Sequence, residues 1–378
     1  MDYIGYLKQL RDGVVKKERE KGIAGFFKKK NLKILLANFS GTEQQKDIEA
    51  RTPVVNDFFR VKINVKAFDE KEMQKNGLHA VDFHRNADVF DAMAKEFDMP
   101  YWAFSKLKNV PLQDLQNTFI YQLKACNIHC PWCYVDDRNK NGRQDNNSRF
   151  FSIPEIVDAF EEKRKEQRLY NLRPSGGEPT LAVEQWLELL REVKNRGLGN
   201  KVYVQGDTNL TTGHFIDILE NKGEIEKNLL EKIAEHENFG LLCSFKGNDL
   251  KSFNEATDFS NEIYGEQVYS LKKLVKAGID CYPFVYCPEP KALKRFMHNG
   301  ADIFGEGFYL KKCILPLNLY GPEKERLVKK GMNPADYQKQ LDDKFSKSEE
   351  IMQDLIWKEY GLNYKAVPRV GIKLEVEN

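Results

Sequence analysis

The chain has no long apolar run, no second close pair of cysteines and almost no net charge, and each absence narrows the reading. No apolar stretch approaches the roughly 18 residues that a membrane span needs, so no transmembrane segment and no membrane partner are expected. The opening residues, MDYIGYLKQLRDG, lack the basic-then-apolar layout of a secretory signal. A cytoplasmic protein is expected, with its thiols kept reduced. Net charge is +2 at pH 7, too small for the chain as a whole to gather nucleic acid through its field. No repeat and no low-complexity tract is visible. Cysteine is scarce, with seven in 378 residues, but it is not evenly spread.

What is present fits one large catalytic domain with appendages: 41% hydrophobic residues for a core and 31% charged residues for a solvated surface. The first forty residues are locally basic. Lys8, Arg11, Lys16, Lys17, Arg19, Lys21, Lys28, Lys29, Lys30 and Lys33 face only Asp2, Asp12, Glu18 and Glu20. Such a stretch is usually a solvated helix face, and otherwise a contact for RNA or an acidic partner.

Three of the cysteines, Cys126, Cys130 and Cys133, fall within the eight residues CNIHCPWC. In a reduced chain a tight cluster reads as metal-binding or catalytic, not as a disulfide framework. A closed structural zinc site wants four ligands, usually as two separated pairs, and no second CxxC exists here. His129 offers a fourth ligand, but from the same short loop. Iron–sulfur clusters are held by thiolates at such close spacings. Three thiolates on a four-iron cluster leave one iron open, as catalytic metal sites leave a position open.

The CxxxCxxC spacing resembles the signature of the radical S-adenosylmethionine (SAM) enzymes. The resemblance implies a [4Fe-4S] cluster on Cys126, Cys130 and Cys133, whose open iron chelates the amino and carboxylate groups of SAM. It implies an electron from an external flavodoxin- or ferredoxin-like donor. SAM then splits into methionine and a 5′-deoxyadenosyl radical that abstracts hydrogen from a substrate. Trp132 matches the aromatic position beside the SAM adenine.

The surrounding pattern agrees. TFIYQLKA (118–125) reads as a strand leading into Cys126. Helical periodicity over 153–167 and 182–197 brackets a short strand ending NLRPSGGEP. Strand and helix patterns then alternate: strands over 201–210, 239–249, 279–288 and 308–322, helices over 225–238, 268–278 and 290–305. Six strands alternating with helices imply parallel pairing with right-handed crossovers. The expected α/β fold is a partial (β/α)6 barrel over residues 116–321, with site residues at the C-terminal strand ends. Residues 1–115 form an N-terminal extension that could bind substrate, including NLKILLANF, FRVKINVKAF and DVFDAMAKEFDMPYWAF. Residues 322–378 form a helical C-terminal extension with a short terminal strand.

Each remaining motif falls at a predicted strand end. Gly176, Gly177, Glu178 and Pro179 match the family's GGEP motif at the SAM amino group; paired glycines let a backbone approach a ligand closely. QGDTNL resembles the ETNG of the activating-enzyme branch, which implies SAM contacts from Asp207 and Asn209. CSFKG resembles the D-x-K of glycyl-radical-enzyme activases. Lys246 keeps the lysine that approaches the SAM carboxylate, while Ser244 stands where the acid would be. ILPLNLYG resembles an LPYHxLG segment through Leu315, Pro316, Leu319 and Gly321, with Asn318 able to hydrogen-bond adenosine. These likenesses place the chain nearest the activase-like branch.

Cys243, Cys281, Cys287 and Cys313 lie in or at the ends of different strands and read as core packing. Cys287 has a second reading, as a hydrogen donor to substrate. Three functions stay open: a radical SAM enzyme acting on a protein or peptide; one acting on tRNA or a small molecule; and a non-catalytic metal-cluster module binding nucleic acid. The last leaves SGGEP and the barrel unexplained.

Overall fold

The computed structural model describes residues 2–21, 27–49, 54–63, 117–146, 148–166, 169–257, 263–364, 367, 369 and 371–376. The chain opens with α1 (Tyr3–Val14), started by Asp2, whose side chain accepts from the Gly5 N–H at 3.0 Å. Its apolar stripe, Leu7, Leu10 and Val14, is buried. β1 (Val15–Lys21) and β2 (Phe27–Ala37) follow as an antiparallel pair. Next come α2 (Glu43–Glu49), β3 (Val54–Asn56) and β4 (Phe59–Ile63).

The parallel sheet begins with β5 (Asn117–Gln122). β6 (Ser148–Ser152) leaves it to pair with β2, making a separate three-stranded sheet. α3 (Ile153–Glu166), β7 (Asn171–Ser175), α4 (Glu184–Asn195), β8 (Tyr203–Thr208), α5 (Gly213–Asn221), α6 (Leu229–Ala234) and β9 (Phe239–Phe245) continue the alternation. α7 (Leu250–Thr257), α8 (Glu266–Lys276), β10 (Cys281–Tyr286), α9 (Pro290–Phe304), α10 (Gly307–Lys311) and β11 (Cys313–Leu315) complete it. α11 (Gly321–Lys329) and α12 (Pro334–Tyr360) follow.

The six parallel strands lie in the order β5-β7-β8-β9-β10-β11. Spatial order follows chain order, so every crossover steps the same way round, as in a barrel and unlike a doubly wound sheet. Alternation sorts the side chains. Leu241, Cys243, Phe245, Cys281 and Val285 join the main core, while Leu242, Tyr282, Phe284 and Cys313 form a second apolar cluster on the opposite, inner face. The fold is thus the α/β partial barrel expected. No helix of the described residues is long and apolar enough to cross a membrane.

The departures are local. β4 pairs antiparallel with β5, so residues before the barrel extend its sheet by two strands. Residues 308–311, expected as strand, are helical, and β11 keeps three residues. Packing overrides propensity there: Phe308 stacks on Phe304 at 5.5 Å, in space that a Cβ on Gly300 would fill. The helix expected over 225–238 shrinks to α6, and α5 was not foreseen. Ile372, Leu374 and Val376 pack on the core, but no strand occurs after α12 among the described residues. DVFDAMAKEFDMPYWAF lies outside the described residues.

The basic amino-terminal stretch is not one solvated helix face, because it runs from α1 into β1 and β2. Arg11 is 4% exposed and donates to both Glu184 carboxylate oxygens, at 2.5 and 2.9 Å, and to the Leu181 carbonyl at 2.7 Å. Lys17 reaches the same carboxylate at 2.9 Å. Burial alone would push the Glu184 carboxyl up, but the two cations outweigh it and hold the group below its usual range. Arg11→Ala should therefore cost about 3–5 kcal/mol in urea unfolding at pH 7. Glu184 contributes its stability above the ordinary carboxylate range and loses it as pH falls through the depressed value. The gap between wild type and variant should accordingly narrow in acid.

Candidate active site

The cysteine loop hangs from the C-terminal end of β5, fixed at both ends. The Lys124 N–H donates to the Leu35 carbonyl at 3.1 Å, and the Cys126 N–H to the Lys140 carbonyl at 3.0 Å. Between them Cys126 and Cys130 are buried and Cys133 is half-buried, packed around Ile128, and all three thiols are free. Burial pushes Cys126 up, and the other two thiols push it further. Burial also raises Cys130, while Lys246 and Lys140 pull it back.

The turn after β7 packs directly beneath this loop. Gly176 and Gly177 adopt φ of +62° and +59°. A Cβ on Gly177 would lie 2.1 Å from the Ala125 carbonyl oxygen and 2.4 Å from that of Leu123. The close approach these glycines permit is therefore first to the β5 backbone. It lets the Glu178 N–H donate to the Ala125 carbonyl at 2.6 Å. The buried Glu178 carboxylate then accepts from the Asn209 N–H at 2.7 Å and from Thr180, bolting the ends of β7 and β8 together. Burial raises its carboxyl, against these bonds.

Asn209 follows the end of β8 and is buried. Its amide donates to Asn127 Oδ1 at 2.8 Å and stands 3.9 Å from Cys126 Sγ, while its carbonyl accepts from Thr211. Asn127 in turn donates to Tyr3 of α1 at 2.6 Å. Both ends of the Asn209 amide are thus engaged beside the first cysteine. Asp207 is also engaged, in a bidentate pair with Arg173 one strand away, at 2.9–3.2 Å.

Lys246 keeps its place at the end of β9, its ammonium donating to Ser244 Oγ at 2.8 Å and close enough to Cys130 to favour the thiolate. Beside it opens a small cleft lined by Trp132, Lys246, Ser252, Glu255, Tyr286 and Cys287. Tyr286 stays 38% exposed although protein surrounds it closely enough to push its phenol up, as on a concave wall. Cys287 points its thiol at the Leu341 carbonyl, 3.7 Å away in α12, and burial pushes it up to about 11. Asn318 is exposed beyond β11, between residues whose backbone is held by Gln338.

Sequence reasoning missed Asn127, Tyr3, Lys140 and Arg173. Asn127 was legible as the polar residue inside the cysteine motif. Tyr3 lies 124 residues from Asn127 in sequence, and no local pattern marks that contact.

Three free thiols lie in one loop, Cys126 and Cys130 buried and Cys133 half-buried. Among the described residues no three His, Cys, Asp or Glu converge where a single metal ion would sit. Thiolates are the donors that an iron–sulfur cluster takes. Cys126, Cys130 and Cys133 would hold it. Trp132 and Lys246 both line the cleft beside the loop.

Residues 121–289, just under half of the chain, match the family profile of the Radical SAM superfamily. Its members bind a [4Fe-4S] cluster and SAM. No curated protein matches the chain. Among solved structures, Streptococcus suis SuiB bound to the precursor peptide SuiA is 18% identical, with a TM-score of 0.31 over 44% of this chain and 31% of SuiB. The hexahistidine-tagged anSMEcpe with bound AdoMet is 14% identical, with a TM-score of 0.40 over 63% of this chain and 56% of that one. The chain thus spans about a third of SuiB and just over half of anSMEcpe.

The glycine turn gives a direct test. Gly177→Ala should destabilise the fold by roughly 3–5 kcal/mol, combining left-handed strain with overpacking against backbone. Gly176→Ala, whose new methyl meets the Gln122 side chain, should cost less. Thermal unfolding of the metal-free variants measures both, and equal losses would contradict the backbone contact.

Proposed function

We propose that this chain is a radical SAM enzyme whose substrate is a protein or peptide. One observation carries the enzymatic part: Cys126, Glu178 and Lys246 stand at the C-terminal ends of β5, β7 and β9 of one parallel sheet. That is where barrel enzymes gather their chemistry. When bound, the cluster supplies the electron that splits SAM into methionine and a 5′-deoxyadenosyl radical, which takes a hydrogen atom from the substrate. The protein's part is binding, orientation and exclusion of water.

Lys246 places a positive charge for the SAM carboxylate, and Trp132 a flat face for its adenine. Glu178 and the two glycines fix the backbone beneath the loop. Arg173, Asp207 and Tyr134 supply polar groups on the wall towards a substrate; the Tyr134 hydroxyl lies 3.2 Å from Ser175 Oγ. Support for a peptide substrate comes from Lys246 and from Leu315, Pro316 and Gly321, which resemble the activase-like branch. Engagement of Arg11 and Lys17 by Glu184 weakens the one feature that pointed to RNA. We propose an external flavodoxin- or ferredoxin-like protein as electron donor, and a share in substrate binding for residues 1–115.

Anaerobically reconstituted protein should carry about four irons and four sulfides, and lose them when Cys126, Cys130 and Cys133 are all replaced by alanine. With dithionite and SAM it should release 5′-deoxyadenosine, detected by mass spectrometry, above a Cys130→Ala control. Zinc as the sole metal, or no product with SAM demonstrably bound, would overturn the reading. Lys246→Ala should weaken SAM binding by about 1.5–3 kcal/mol, read by calorimetry.

A further inference from the structure

Cys133 is the least buried of the three thiols, and the stretch that carries it, residues 131–136, has no helix or strand of its own. Carbonyls in such a segment need partners from elsewhere. They come from outside the barrel. Arg326, on α11, donates from one terminal nitrogen to the Cys133 carbonyl and from the other to the Val135 carbonyl. Its Nε donates to the Asp137 carboxylate at 3.1 and 3.2 Å. The guanidinium side chain is 13% exposed.

The same region closes on itself around this fork. Asp137 also pairs with Lys140 at 2.6 Å, and the Lys140 carbonyl receives the Cys126 N–H, so the loop's two ends are tied through one carboxylate. Leu327, the next residue of α11, belongs to the apolar cluster of Cys287, Leu317, Leu319 and Leu341 against which Trp132 packs. One turn of helix thus holds the backbone of the third cysteine and contributes to the cluster against which Trp132 packs.

We propose that Arg326 is a positioning residue for the site assigned above. Its rigid fork holds the Cys133–Val135 backbone, and with it the third thiol and Trp132, in place before any cofactor arrives. A lysine would keep the charge but cannot span two carbonyls and a carboxylate from one planar group. The function of the fork is geometric.

Hydrogen exchange on the metal-free full chain tests this without reference to the cluster. In Arg326→Gln, amides of 132–138 should exchange about tenfold faster or more, the weight of one charge-assisted hydrogen bond. Those of α4 should be unchanged. Arg326→Lys should behave like Arg326→Gln, and Lys329→Gln, one turn on, like wild type. In the iron-loaded protein a chelator should extract iron faster from the same two variants by a similar factor. Unchanged exchange in Arg326→Gln, or full rescue by Arg326→Lys, would overturn the proposal. Should Arg326→Gln fail to fold, Asp137→Asn replaces it, with faster exchange over the same segment expected and unchanged exchange overturning. A wild type that binds no iron would remove the proposed function and still leave the exchange comparison decisive for the fork.

Discussion

Ala125 and Glu178 meet backbone to backbone at 2.6 Å, and the site is assembled around that contact. It needs two consecutive left-handed residues without side chains, which Gly176 and Gly177 provide. Once the turn after β7 is seated under β5, the Glu178 carboxylate falls within reach of the Asn209 N–H, and β8 is registered against β7. Asn209 then meets Asn127 beneath Cys126. A chain of hydrogen bonds thus runs from the glycine turn to the first cysteine.

Charge is handled by the same rule throughout: where it is buried, it is paired or suppressed. Arg11 and Lys17 share Glu184, Lys124 holds Asp145 at 2.6 Å, and Arg173 and Asp207 neutralise each other on the inner face. Lys312, fully buried with no hydrogen-bond partner for its ammonium among the described residues, lies over the Phe245 ring at 3.9 Å. Burial pushes its pKa well down, towards the neutral amine. Lys246 is only half-buried and lies near Cys130, where a cation helps gathered thiolates.

The flanks are more than wrapping. α1 enters the hydrogen-bond chain through Tyr3, and α11 grips the loop from the other side through Arg326. β3 and β4 continue the barrel sheet by antiparallel pairing. The cysteine loop is therefore held by elements separated from it by more than a hundred residues on both sides.

The alternation of strand and helix, the cysteine spacing and the paired glycines were readable from residues alone. Each is local: period 2 against period 3.6, thiols close in sequence, and a turn only glycine can make. The barrel followed, because six such units close in few ways. What the sequence could not supply was direction. Asn209 and Cys287 sit at strand ends as expected, yet point respectively beneath the loop and into α12, because a strand end can face either way until its neighbours are placed. Residues 308–311 became helix once Phe308 found the space beside Gly300. Arg326 looked like any basic residue on a helix, and only packing of α11 brought it to the Cys133 carbonyl, 193 residues away. Sequence determined which groups the site contains; long-range packing decided which way each one faces, since contact energies between distant residues leave no periodic trace.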